Sequence, residues 1–553
     1  MVRSPINKNG IKAFPVIIAF YFILNIQFLS GQSTEYKYYY RVFFKDKGEV
    51  KLSEINPRML LSERAIIRRQ KSGIRVPDMS DIPVSREYIN VIASEGLVLH
   101  CTSRWLNTAV FKSKEAMDVG KILALPFVSD VKAVKLPGIK SSYINKLDFT
   151  QDLAEQSYDN QLSMLNGISV HNSGFRGKGV LIAVLDGGFL NTDNVTSLKH
   201  LFNRNGIVAT RDFVAPADFV FGYHNHGTAV LSVLAGEIPE RIAGSAPEAD
   251  YILLRTEDTA TEFPVEEDFW TAGAEFADSA GADIISSSLG YFNFDYPSMN
   301  YKFSDLNGSG TFVTKAARMA VSKGIIVVNS AGNERDNEWL RIIAPSDGEN
   351  VIATGAVNPD GTISSFSSAG PSADGRVKPD VSAQGVGVTA QVSENLARAN
   401  GTSFSCPLIS GMCACIIEAV RDAKNTEVTE ALHYASDRYE SPDSLYGYGI
   451  PDIAKAIQYL QDLKIVRPEN GVVIAPNPFS ESFRVIFKDP PQKLKVELYS
   501  ITGQKIASQN FSNYISRVYE MNVAGKYPDG LYILRLKTES GIFSRKIIKA
   551  DNP

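Results

Sequence analysis

Cysteine is scarce in this chain, with 4 in 553 residues. That is far too few for a disulfide framework. Cys406, Cys413 and Cys415 share one apolar run, and Cys101 lies far upstream. Cys413-x-Cys415 is not a zinc-ligand spacing, and no histidine pair accompanies it. Buried structural thiols are therefore expected, because a free cysteine packs like a small hydrophobe. An excess of positive charge is also missing: 57 Lys+Arg against 61 Asp+Glu leave a net charge of −4. No global basic field exists to hold nucleic acid or an anionic membrane. No Asp-rich loop with a calcium-ligand pattern occurs either. Histidine is rare, with 6 in all, so a well-placed imidazole stands out. With 44% hydrophobic and 21% charged residues, the chain is neither wholly disordered nor fibrous. At about 150 residues per domain, its length suggests three or four domains.

The first segment reads as an address. Arg3, Lys8 and Lys12 precede an apolar stretch from Phe14 to Leu29, followed by Ser30, Gly31 and Gln32. This is the signal-peptide pattern. The stretch is shorter than the ~20 residues a span needs, and Asn25 and Gln27 interrupt it. Cleavage is placed near Gly31, so residues 1–31 are the signal. No transmembrane segment is expected after its removal.

Composition shifts divide the remainder. Residues 36–137 open on the aromatic, strand-like run Tyr36 to Phe44. Helical stretches at Ser62–Lys71 and Glu87–Ser94 and a strand at Leu97–Cys101 follow, which makes a small α+β domain. Residues 138–157 are polar, lack apolar periodicity and read as a linker. In residues 158–462, apolar strands near Val180–Leu185, Tyr251–Leu254, Ala282–Ser288 and Gly324–Asn329 alternate with helical patterns. Those patterns are His226–Ala235, Glu266–Ser279 and Val313–Ser322. Continuous apolar strands between helices imply a parallel sheet covered on both faces. Residues 471–550 show short alternating strands and turns, the pattern of a small β-sandwich.

Four segments of the 158–462 region carry chemistry together. Asp186 ends a buried strand, and strand carboxyl ends are where sites form in parallel sheets. His226 opens a helix of small and apolar residues. Ser403 opens a long apolar helix, with Gly401 before it and Pro407 in its first turns. Unpaired N–H groups and the positive dipole end converge there and favour an anion. Asn333 follows a strand and can donate a side-chain N–H to an oxyanion. A serine is a weak nucleophile until a base takes its proton. His226 fits as that base, and Asp186 fits as the carboxylate that sets its tautomer. The order Asp, His, Ser is one of the known convergent orders of this triad.

The region resembles the subtilisin-like serine proteases, the subtilase family. Asp186-Gly187-Gly188 stands where the family has Asp-Ser/Thr-Gly, and Gly188 is read as replacing the usual hydroxyl residue two positions after the acid, a change expected to alter local packing rather than the chemistry. His226-Gly227-Thr228, Ser330-Ala331-Gly332-Asn333 and Gly401-Thr402-Ser403-Phe404-Ser405-Cys406-Pro407 match its other segments in order. Ser288-Leu289-Gly290 resembles the strand that pairs with bound peptide. Phe366 to Pro371 and Lys378 to Val381 fit as well. The resemblance implies an endopeptidase made as a precursor, with protein or peptide substrates and no catalytic cofactor. It leaves structural calcium open, since members often bind it. The 36–137 domain has the position and size of a subtilase propeptide, which implies an inhibitor of its own enzyme.

The C-terminal region is similar to the sorting domain of the type IX export system. The features that match are Pro476-Asn477-Pro478, Leu498-Tyr499-x-Ile501-Thr502-Gly503, Gly530 to Ile533 and Arg545 to Lys549. Export through the periplasm of a Gram-negative bacterium, to the medium or the cell surface, follows from that resemblance. A catalytically silent adhesin on the same scaffold would lack a triad member, and none is missing. A serine esterase of another fold would place its histidine last, whereas here the histidine precedes the serine.

Overall fold

The computed structural model describes residues 36–138, 148–150, 160–392, 394–466, 471–512, 515–523 and 527–550. The signal segment and most of the expected linker lie outside these residues. Seven parallel strands form the central sheet. Their spatial order is Val381–Gln384, Val351–Val357, Ile326–Ser330, Ile284–Ser287, Leu181–Asp186, Asp250–Arg255 and Ile207–Asp212. Along Leu181–Asp186, Ile182 and Val184 join one apolar cluster, while Leu181, Ala183 and Leu185 join another. The period of two thus feeds both faces. On the first face lie the helices His226–Ala235 and Thr402–Ala419. On the second lie Val265–Ala280 and Phe312–Ser322. The expected covered parallel sheet is borne out.

The first described unit is a four-stranded antiparallel sheet in the order Val98–Ser103, Thr108–Ser113, Tyr38–Phe44, Val128–Lys135. Helices Glu63–Lys71 and Arg86–Ser94 accompany it. Ser62 caps the first of these, its Oγ accepting from Ala65 N–H at 3.2 Å. The unit has a small core of its own, including Val42, Phe44, Ile92, Ala109 and Phe111. It rests on the Val265–Ala280 helix through buried charges. Arg41 Nε donates to Asp268 at 2.7 Å. Glu275 accepts from Ser103 Oγ at 2.6 Å and from Trp105 N–H at 3.0 Å. Burial, partly offset by Arg41, pushes the Glu267 carboxyl up to about 7.

The C-terminal unit is a sandwich of a three-stranded and a four-stranded antiparallel sheet over one core. It also packs on the central unit. Arg517 grips Glu430 at 2.9 and 2.5 Å, and Ile486 and Val518 enter the main core.

One expectation is corrected. Residues 148–150, read as linker, form a strand paired antiparallel with Asn395–Asn400. Backbone pairing needs no apolar periodicity, so a polar segment can supply it. The helix Thr402–Ala419 is by length and composition apolar enough to cross a membrane, and 89% of it is buried. It is the core helix of the parallel-sheet unit, and its apolarity serves packing on all sides. All four cysteines are free thiols, and Cys406, Cys413 and Cys415 are fully buried, as expected.

Candidate active site

The strand Leu181–Asp186 lies between Asp250–Arg255 and Ile284–Ser287. Connections leave in opposite directions around it, so a crevice opens beyond its carboxyl end. Asp186, wholly buried, sits at that end. His226 is the first residue of its helix, and its Nδ1 lies 2.7 and 2.8 Å from the two Asp186 oxygens. Gly187 N–H also donates to Asp186 at 2.7 Å. Arg255, opposite Asp186 in register, donates from Nε to the Gly187 carbonyl at 3.2 Å and pairs with Asp212 at 2.9 Å.

Glycine is required at two places here. A Cβ on Gly227 would stand 2.4 Å from the Gly188 carbonyl oxygen, to which Gly227 N–H donates at 3.0 Å. Gly188 has φ +151 and a Cβ there would meet His224 N at 2.6 Å. These contacts press the start of the histidine helix against the turn after Asp186. A Cβ at Gly187, the residue beside the acid, would meet Thr259 Cγ2 at 2.7 Å.

Ser403 is the second residue of Thr402–Ala419 and is 7% exposed. Its Oγ lies 3.4 Å from the Ser288 carbonyl oxygen, and Ser288 Oγ donates to the Ser403 carbonyl at 3.0 Å. The serine helix and the Ser288–Gly290 segment are thereby tied to each other. The Phe404 ring, next in the chain, lies 6.3 Å from the His226 ring. Both helix starts therefore open on the same crevice. Leu289 is held by Asn329 Nδ2, which donates to its carbonyl at 2.9 Å. Gly290 lies against Ile343, whose Cδ1 would be 2.2 Å from a Cβ.

Asn333 is fixed by its oxygen. Its Oδ1 accepts from Thr402 N–H at 2.9 Å and from Thr402 Oγ1 at 3.0 Å. Its Nδ2 lies 3.5 Å from the position of a Gly401 Cβ, beside the turn that leads to Ser403. The amide thus presents its N–H groups to the start of the serine helix. Thr402, His224 and Arg255 were not singled out by the sequence reading. Thr402 sits inside a quoted motif, but its task is visible only once Asn333 is folded against it. Among the described residues, no three His, Cys, Asp or Glu side chains gather as a metal site.

A parallel-sheet α/β domain with a carboxylate, an imidazole and a helix-start serine at one crevice defines the class. Comparison with known proteins adds matches to family models and to curated relatives. Residues 177–449 match the Subtilase family. Residues 39–149 match the Peptidase S8 propeptide domain, Bacteroidota, and residues 473–550 match the Secretion system C-terminal sorting domain. Serine protease AprX of Bacillus subtilis (strain 168) is 27% identical over 304 residues, covering 49% of this chain and 65% of that protein. Thermophilic serine proteinase of Bacillus sp. (strain AK1) is 28% identical, covering 46% and 57%. Subtilisin E of Bacillus subtilis (strain 168) is 27% identical, covering 60% and 79%. The match thus spans less than two thirds of the first two relatives.

Proposed function

We propose that the chain is the precursor of an exported serine endopeptidase. The observation that carries this reading is the Asp186–His226 pair at 2.7 Å, opening on the crevice where Ser403 begins its helix. Ser403 Oγ attacks the peptide carbonyl, and His226 Nε2 takes its proton and later gives it to the leaving amine. Asp186 holds the imidazole with Nδ1 protonated and stabilises its cation. The present 3.4 Å contact of Ser403 Oγ with a carbonyl is long for a hydroxyl hydrogen bond. Exchanging it for the imidazole therefore costs little. The Ser403 N–H and Asn333 Nδ2 hold the oxyanion. Ser288, Leu289 and Gly290 receive the substrate backbone as an added strand.

The chemistry is supplied by side chains and amides, so no cofactor takes part in bond cleavage. Structural calcium is left outside this reading. The substrates are proteins or peptides rather than nucleic acid. The chain divides for processing into residues 1–31, 36–137, 158–462 and 471–550. The 36–137 unit inhibits until it is cut away, and its buried ion pairs with the Val265–Ala280 helix support that role. The sorting-domain match supports handover to type IX export machinery, so the product is released or held at the surface of a Gram-negative cell.

The test is labelling of the matured protein with a serine-directed fluorophosphonate, with the adduct mapped by peptide mass. The adduct is expected on Ser403 and lost in Asp186→Asn, whose turnover should fall by about 10⁴. An unlabelled Ser403 in a folded, processed protein would refute the reading.

A further inference from the structure

We infer that Arg255 is a positioning residue for the catalytic pair: it braces the turn that follows Asp186 against the loop that leads into His226. The inference rests on the endopeptidase reading above and adds a residue to its machinery. The strand Asp250–Arg255 lies between Leu181–Asp186 and Ile207–Asp212. Its last residue pairs in register with Asp186 on one side and with Asp212 on the other. Three neighbouring strands therefore end in an acid, a guanidinium and an acid, side by side at the carboxyl edge of the sheet.

The turn after Asp186 needs outside support. It begins Gly187-Gly188, two residues without side chains and with wide backbone freedom. Yet Gly187 N–H has to donate to Asp186 Oδ1, at 2.7 Å, and the Gly188 carbonyl has to accept from Gly227 N–H, at 3.0 Å. The first bond orients the carboxylate, and the second fixes the start of the His226 helix. Arg255 Nε donates at 3.2 Å to the carbonyl between them, that of Gly187.

The guanidinium is itself held on two further sides. Its Nη1 donates to Asp212 Oδ2 at 2.9 Å. Asp212 Oδ1 accepts from Val214 N–H at 2.8 Å and from Ala215 N–H at 2.9 Å, so this carboxylate is a fixed anchor. Arg255 Cζ lies 3.8 Å from the centre of the Tyr223 ring, three residues before His226. A Cβ on Gly188 would stand 2.7 Å from Tyr223 Cβ, so that residue also presses on the same turn. One planar group thus touches the segment after the acid, the segment before the base, and an anchor outside both. An ion pair that served stability alone would need only opposite charge. This one uses the flat fork of arginine, with one nitrogen on a carboxylate, another on a carbonyl and a face on a ring. A lysine ammonium supplies the charge without that combination. Arg255 acts through Asp186 and His226 rather than on the substrate.

The experiment separates placement from stability. Arg255→Lys keeps a charge beside Asp212, and Tyr223→Leu keeps the ion pair and removes the ring. In enzyme matured from the full chain, Arg255→Lys should lower kcat on a peptide substrate by about 10–100-fold, with KM within about twofold. Tyr223→Leu should lower kcat by about threefold or more. In the uncut Ser403→Ala full chain, the unfolding midpoint of Arg255→Lys should stay within about 3 °C of its parent. In that same chain the hydrogen-bonded Nδ1 proton of His226 gives a far-downfield NMR line, readable whether or not a variant matures. The line should weaken or vanish in Arg255→Lys. Full kcat or an unchanged line in Arg255→Lys would overturn the inference, and so would a kcat loss that merely matches a loss of folded protein. Should Arg255→Lys fail to fold, an unchanged kcat in Tyr223→Leu would overturn it. A wild type that neither cuts peptides nor labels at Ser403 would overturn the endopeptidase reading, with the proton line still deciding whether Arg255 braces the pair.

Discussion

Asn333 shows how one side chain acquires a direction. An asparagine amide can face either way, and its two ends differ only in what they bond. Thr402 supplies two donors to Oδ1, at 2.9 and 3.0 Å. That leaves the donor end toward the serine. Asn333→Ala should lower kcat by about 10²–10³ with a small change in KM, a loss established on a relative of this domain. Thr402→Val removes one of the two donors and should cost about tenfold, the worth of one hydrogen bond. Steady-state kinetics on both variants separates these roles. Equal losses would mean that Thr402 does more than orient Asn333. Asp186, His226, Ser403 and Asn333 could be read from sequence because each stands in a short segment of fixed chemistry. Thr402 and Arg255 could not, because their partners are distant in the chain: Asn333 lies 69 residues from Thr402, and Asp212 lies 43 from Arg255.

The elements that position the site were legible where their apolar pattern was continuous. His226–Ala235 is one such helix, and Leu181–Asp186 is one such strand. Elements with mixed patterns were not read: the strands Ile207–Asp212 and Val351–Val357, the hairpin Val388–Val392 with Asn395–Asn400, and the helices Asn425–Ala435 and Ile453–Ile465. Arg211 and Asp212 give Ile207–Asp212 the look of a loop, yet Asp212 is buried because Arg255 neutralises it at 2.9 Å. The run Glu266-Glu267-Asp268 likewise looks solvated but is buried under the propeptide sheet.

On that sheet His100 lies between Tyr39 and Phe269, its Nε2 3.0 Å from the Phe213 carbonyl oxygen. Burial, with Lys112 and Lys135 nearby, lowers it from 6.5 to about 4 despite that contact. A depressed imidazole contributes stability that is present above pH 6.5 and lost as the pH falls toward 4. Glu267, raised to about 7, works in the opposite sense: its contribution is present below 4.5 and lost as the pH rises. Comparison with His100→Phe isolates the histidine. In a Ser403→Ala background, the unfolding midpoint of the wild-type interface should drop more between pH 7 and pH 4.5 than that of the variant. Parallel pH profiles would exclude His100 as an acid-sensitive group.

At the scale of the whole chain, three units pack into one molecule rather than stringing out on linkers. The propeptide unit lies on the second-face helices, and the C-terminal sandwich lies on the first-face core through Glu430–Arg517 and Val518. This arrangement fits a precursor whose first cut is made by its own serine. The measurement is intact mass against time for residues 32–553, as wild type and as Ser403→Ala. The wild type should lose roughly its first 100–120 residues while the variant keeps them, in line with the ordinary dependence of triad chemistry on its nucleophile. Identical trimming of both proteins, or none in either with Ser403 inert to fluorophosphonate, would contradict self-processing by this site.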